Sequence, residues 1–181
     1  MSFEQIQLPN QNFPATTGEV NLSQMPTEWL VIYFYPKDST PGCTTQATDF
    51  SSLKEQFQAL NTTVIGISRD SVKAHQNFTE KQALTINLIS DKEEVLCQLF
   101  DVIKEKNMYG KTVMGIERSS FIFHQSQLVK EYRKVKVLQE TAVQSETTNH
   151  GLNGIAQTDF IIGIDNTVVI HVFQLHRTRF Q

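Results

Sequence analysis

The sequence predicts an α/β fold in which a mixed central β-sheet is flanked by helices. Three observations carry that reading. The run "EWLVIYFYP" at 28–36 is continuous, β-branched and aromatic, and too short for a typical helix, so it reads as a fully buried central strand. Helical and strand-like segments then alternate along the chain. Finally, "RSSFIFH" (118–124) and "LVKEYRKVKV" (128–137), joined by "QSQ", read as two strands of a hairpin.

Each element has a local reason. The first 25 residues are polar, with turns marked by Pro9, Pro14 and Gly18, and "GEVNLSQ" (18–24) reads as a short edge strand. Pro36 ends the central strand because proline cannot donate to a ladder. Beyond Cys43, apolar residues recur at Ala47, Phe50, Leu53, Phe57 and Leu60, steps of three and four that make one helix face. A second buried strand, "TTVIGIS" (62–68), precedes a helix over "SVKAHQNFTEKQ" (71–82) and a short strand "INLIS" (86–90). "DKEEVLCQLFDV" reads as the next helix, with Ser90 or Asp91 as N-cap and acidic residues in the first turn. After Val137 the character changes. Residues 138–159 are polar without a helical period, and "FIIGIDNTVVIHVFQLH" (160–176) is two apolar runs around "DNT" that suit a β-hairpin. No internal repeat is present. The expected organisation is one domain at 1–137 and an atypical C-terminal tail at 138–181.

Composition bounds the function. The 181 residues suffice for one well-buried domain, and 39% hydrophobic with 19% charged residues is ordinary for a globular protein. A net charge of −3 argues against nucleic acid as a partner, since a phosphate-binding surface needs clustered Lys and Arg. The basic stretch "KEYRKVK" (130–136) alternates as a strand with a charged outer face does. No apolar segment reaches the ~18 residues of a membrane span, and "MSFEQIQLPNQNF" carries no export signal. Two cysteines are too few for a disulfide scaffold and suit a reducing cytoplasm, the expected location. His75, His124, His150, His171 and His176 are scattered without ligand spacing and read as surface or strand residues, so no metal and no other cofactor is expected.

The chemistry concentrates in "STPGC", residues 39–43. Thr40 is a good N-cap and Pro41 suits the first helical position, where its missing N–H costs nothing. Gly42 lets backbone come close to an approaching group. Cys43 then falls in the first turn, where unpaired N–H groups and the positive end of the helix dipole favour an anion. The thiolate is the nucleophilic form of cysteine. The site also follows the C-terminal end of a central strand, where open α/β sheets place their ligands. A free cysteine is ordinarily a small core hydrophobe, and the cap, the glycine and the strand end weigh against that for Cys43. Cys97, beside Leu96, Leu99 and Phe100, reads as core.

These residues resemble a known family. Pro36, Thr40 and Cys43 in "PKDSTPGC" match the peroxiredoxin pattern Pro-x-x-x-Thr/Ser-x-x-Cys, and Arg118 in "MYGKTVMGIERSSF" matches that family's arginine at the start of a late strand. The surroundings, "VIYFYPKDSTPGCTTQATDF" and "LFDVIKEKNMYGKTVMGIERS", are similar to the thioredoxin-dependent, bacterioferritin-comigratory (Q) subfamily, over about residues 3 to 137.

The resemblance implies a thioredoxin-like fold and a thiol peroxidase that reduces hydrogen peroxide and organic hydroperoxides without metal or haem. Cys43 would be the peroxidatic cysteine, passing through sulfenic acid. Thr40 would orient the peroxide, Arg118 would stabilise the thiolate and the leaving oxygen, and Pro36 would shield the sulfur from water. Implied partners are hydroperoxide substrates and thioredoxin or a similar thiol reductant, with the protein a monomer or weak homodimer. Two departures stand out. Where many members carry a resolving cysteine, five residues after Cys43 or on the next helix, this chain has Thr48 and Thr79. That leaves Cys97, if the Cys43 helix unwinds, or an outside thiol, which is the favoured expectation. The family's closing helix also has no counterpart in the tail. Two rivals are a non-turnover redox sensor or interaction protein and a thiol–disulfide oxidoreductase. The second normally needs a cysteine where "CTTQ" has Gln46.

Overall fold

In the computed structural model, the described residues are 6–137 together with the backbone of two short strands at 160–163 and 169–172. In chain order the elements are β1 (Asn12–Ala15), β2 (Gly18–Asn21), β3 (Trp29–Phe34), α1 (Pro41–Ser52), α2 (Lys54–Ala59), β4 (Thr62–Ser68), α3 (Val72–Gln82) and β5 (Asn87–Ser90). Then come α4 (Val95–Leu99), β6 (Ile103–Met108), β7 (Lys111–Ile116), β8 (Ser119–His124), β9 (Gln127–Tyr132), β10 (Phe160–Gly163) and β11 (Val169–Val172).

The apolar run at 29–34 does become the buried strand its composition predicts. All six residues of β3 are buried. It pairs parallel with β4, Tyr33 opposite Gly66, and antiparallel with β8, Tyr33 opposite Ser120. The seven-stranded mixed sheet runs β2-β1-β5-β4-β3-β8-β9, so β2 is the edge strand expected of "GEVN".

Alternation along β3 divides the core in two. Val31 and Tyr33 face one layer with Cys43, Ala47, Phe50, Phe57 and Phe78, whereas Leu30, Ile32 and Phe34 face the other with Leu96, Cys97, Phe100 and Phe121. Phe50 from α1 stacks on Tyr33 at 4.7 Å, which fixes the helix carrying Cys43 against the sheet. Gly66 is what lets Tyr33 lie there. A Cβ at that position would come within 2.7 Å of the Tyr33 ring and 2.8 Å of Leu88, so a side chain would push the ring off β4.

Several boundaries differ from the sequence reading. The apolar face from Ala47 to Leu60 lies on two helices, because the chain breaks at Leu53 (φ −97°, ψ 9°). The helix expected after Ser90 is only five residues long. Glu94, in the left-handed region at φ 58°, takes the N-cap position instead of Ser90 or Asp91, and the Asp91 carboxylate accepts from the first-turn Cys97 N–H at 2.7 Å. The last strand of the main sheet ends at Tyr132 and not Val137, since Lys134 takes φ 52°. The β8–β9 turn uses Gln125 and Ser126, both at positive φ, the two-residue turn that matches strand twist. A second hairpin, β6–β7, was not legible from periodicity. It turns the same way through Tyr109 and Gly110. β10 and β11 pair antiparallel, Phe160 opposite Val172, as two apolar runs around "DNT" suggest. The expectations for 138–159 and for the linking and terminal residues of the tail lie outside the described residues.

Candidate active site

α1 delivers Cys43 as the local signals require. Thr40 has extended backbone at the N-cap position, Pro41 opens the helix, and Cys43 sits in its first turn, 1% exposed. One detail differs from expectation. The Thr40 side chain makes no capping bond; its hydroxyl donates to the Lys37 carbonyl at 3.0 Å, while its own carbonyl accepts from the Thr44 N–H at 2.8 Å. With its proton engaged, the Thr40 oxygen keeps lone pairs to accept from another donor.

Arg118 enters from the far side of the sequence. It stands between β7 and β8, and its backbone carbonyl accepts from the Val135 N–H at 2.8 Å. Its guanidinium forks. Nη2 lies 3.2 Å from Cys43 Sγ and Nη1 donates to Gln46 Oε1 at 2.6 Å. Cys43 and Gln46 are three apart on α1 and so share a helix face, and the planar fork spans that one turn. Gln46 was missed as a site residue in the sequence, although its helical spacing from Cys43 was a usable signal. It is fully buried, and its Nε2 has no hydrogen-bond partner among the described residues. Gly42 belongs here as well, because a Cβ on it would meet Arg118 Nη2 at 3.4 Å.

The surroundings are electrostatically lopsided. Tyr33 keeps its phenolic proton firmly, first through burial and then through the neighbouring charges of Cys43 and Asp38, with Arg118 pulling the other way. Lys106 on β6 donates to the Ile116 carbonyl, and its ammonium is held below the usual lysine range by burial and then by the charge of Arg118. Of these cations, Arg118 brings its charge to 3.2 Å from the Cys43 thiol. Pro36, half-buried, lies between the end of β3 and the loop leading to Thr40.

Cys97 is not brought to this site. It lies on α4 in the other core layer, 0% exposed, with the carboxylate of Asp91 beside it. Burial, then the Asp91 charge, pushes its thiol well above the ordinary range. Thr48 donates to the Thr44 and Thr45 carbonyls of its own helix, and the Thr79 hydroxyl is buried without a partner among the described residues. The histidine expectation needs correction at His75. It is fully buried on α3, not a surface or strand residue, because Asp38 and the Ile89 carbonyl supply its hydrogen bonds. His124 is on β8 beside Glu28, 2.8 Å away.

Residues 2–132 match the AhpC/TSA family. The chain belongs to that family. It is 59% identical over 110 residues to peroxiredoxin Bcp of Xanthomonas campestris pv. campestris, covering 60% of this chain and 69% of the relative. With peroxiredoxin Bcp of Bacillus subtilis the identity is 45% over 141 residues, covering 77% and 90%. Among solved structures, the X. campestris bacterioferritin comigratory protein, described for its alkyl peroxide reduction activity, superposes with a TM-score of 0.67 at 49% identity, over 72% of this chain and 87% of that one. A Xylella fastidiosa PrxQ mutant gives 0.67 at 46% identity, over 71% and 81%. The chain is therefore a peroxiredoxin of the Bcp, or Q, branch, with the thioredoxin-like fold and a thiol peroxidase activity. Its substrates are peroxides and its reductant a thiol.

Proposed function

We propose that Cys43 is the peroxidatic nucleophile and that a thiol from outside the chain, thioredoxin or one like it, reduces its oxidised form. The observation that carries this is the Arg118 guanidinium 3.2 Å from Cys43 Sγ at the first turn of α1. The thiolate takes the terminal oxygen of the hydroperoxide as the O–O bond breaks, giving cysteine sulfenic acid. The departing alkoxide takes up a proton and leaves as alcohol, or as water from hydrogen peroxide. Arg118 places fixed positive charge where negative charge is carried by sulfur before attack and by the leaving oxygen after it. Thr40, its own proton given to Lys37, accepts from the hydroperoxide O–H and holds the substrate in line. Pro36 covers the approach from bulk water.

A reductant thiol then condenses with the sulfenic acid, releasing water and forming a mixed disulfide, and a second reductant thiol frees Cys43 as the reductant is oxidised. Cys97 is a poor resolving thiol for two reasons. It lies in the opposite core layer, and Asp91 and burial hold it protonated. Two unpaired cysteines fit action in a reducing cytoplasm.

The test is hydrogen peroxide consumption with thioredoxin as reductant. Cys43→Ser is expected to lose turnover entirely and Cys97→Ser to keep it. Undiminished activity in Cys43→Ser would end the proposal. Loss of thioredoxin-supported turnover in Cys97→Ser, with a single oxidation of Cys43 intact, would make Cys97 the resolving thiol.

A further inference from the structure

The peroxidase chemistry leaves one buried group unused. His75 is fully enclosed under the loop that joins β3 to α1. Both of its ring nitrogens face oxygen acceptors. Nδ1 is 2.7 Å from Asp38 Oδ2 and Nε2 is 3.1 Å from the Ile89 carbonyl oxygen at the middle of β5. A carbonyl oxygen can only accept, so Nε2 carries a proton. At the other nitrogen a bare imidazole lone pair would face a carboxylate oxygen at 2.7 Å, which is repulsive, so a second proton lies between Nδ1 and Oδ2.

Tyr35 does not supply that proton. Its hydroxyl donates to the other carboxylate oxygen, Asp38 Oδ1, at 2.7 Å, with the phenol oxygen 3.3 Å from Nδ1. The titratable groups gathered here are Tyr33 and Tyr35 on and just after β3, Asp38 in the loop, His75 on α3 and Asp70 after β4. The Asp70 carboxylate accepts from the Asp38 N–H at 2.9 Å and the Ser68 hydroxyl at 2.7 Å.

The network grips one place. Asp38 lies between Pro36 and Thr40, and is held at its carboxylate by Tyr35 and His75 and at its amide by Asp70. The next two anchors along the chain are Thr40 on the Lys37 carbonyl and Thr44 on the Thr40 carbonyl, the start of the helix bearing Cys43. We propose that His75 is a positioning residue for the peroxidase reaction, its shared proton with Asp38 fixing the loop that carries Pro36 and Thr40 against the ends of β4 and β5. It rests on the reading of Cys43 as the peroxidatic cysteine.

Asp38→Asn separates this from a packing role. The asparagine amide donates to an unprotonated Nδ1, its oxygen accepts from Tyr35, and Nε2–H still reaches Ile89, so every hydrogen bond survives with one proton fewer. The experiment follows sulfenic acid formation at Cys43 under single-turnover hydrogen peroxide at neutral pH. It is paired with the ring nitrogen resonances of His75 by NMR. The wild type is expected to show both His75 ring nitrogens protonated. Asp38→Asn is expected to lower the rate by less than about threefold and to show His75 as the neutral Nε2–H form. His75→Phe is expected to lower the rate about 10- to 100-fold through misplacement of the loop. A neutral His75 ring in the wild type, or an undiminished rate in a folded His75→Phe, overturns the proposal. If His75→Phe does not fold, Asp38→Asn and the NMR signature decide it. Absence of any wild-type sulfenic acid would instead refute the role of Cys43, and the ring resonances would still report the network.

Discussion

The two cysteines of this chain are equally hidden from solvent and chemically opposite. Cys43 is 1% exposed and Cys97 0%, each packed in one of the two core layers. Cys43 lies in the first turn of a 12-residue helix and has a guanidinium at 3.2 Å. Cys97 lies in a five-residue helix, and its nearest charge is the Asp91 carboxylate that accepts from its own backbone N–H. Burial is common to both places. The sign of the neighbouring charge separates them. A reactive cysteine can therefore be as buried as a structural one, and exposure is a weak guide to which is which.

The largest effect should come from breaking that contrast at Arg118. Arg118→Met is expected to lower the second-order rate constant for hydrogen peroxide by about 10²- to 10³-fold, the scale of removing one pre-organised charge donor from a developing anion. Arg118→Lys should recover only part of this, because a point charge cannot span both Cys43 and Gln46. Stopped-flow tryptophan or competition kinetics reads both variants. Equal rates for Arg118→Met and wild type would remove Arg118 from the mechanism.

Gln46→Leu is the next step down. It keeps the charge and removes the 2.6 Å bond that aims the fork, a charge-assisted hydrogen bond of roughly 1.5–3 kcal/mol. A rate loss of about tenfold with an unchanged melting temperature would mark Gln46 as orienting Arg118. A loss of stability without a loss of rate would make it a packing residue.

The smallest effect concerns Cys97 and appears as stability against pH. An unfolded cysteine titrates near about 8.5, whereas the folded Cys97 holds its proton well above that. Above about pH 8.5 the native state thus binds more protons than the unfolded one, and stability falls as pH rises. Urea unfolding near neutrality and again above about pH 9 should show a shallower alkaline loss in Cys97→Ala than in the wild type. Parallel losses would mean that Cys97 does not contribute to the slope.

Much of this was legible locally. A run of six consecutive apolar residues announces β3, and the Thr40–Pro41 start places Cys43 in a first turn, because strand burial and helix initiation depend on neighbours within a few residues. The β6–β7 hairpin was harder to see. Its strands alternate charged and apolar residues without a clean period, and four of the six β7 positions are exposed, so little burial was written into the pattern. α4 was overestimated for the converse reason. An acidic first turn and an apolar stripe looked helical, but Glu94 adopts a left-handed backbone, so the helix starts only at Val95.

What the sequence determined by itself is the nucleophile's local setting: a strand end, a capped turn, a glycine and a thiol within a few residues. The tertiary structure alone decided which charges meet that thiol. Arg118 is 75 positions from Cys43, and His75 is 37 from Asp38. No local propensity encodes either approach. Both follow from β8 and β4 pairing on either side of β3 and from α3 packing beneath the loop, since sheet register sets which distant side chains share an end of the sheet.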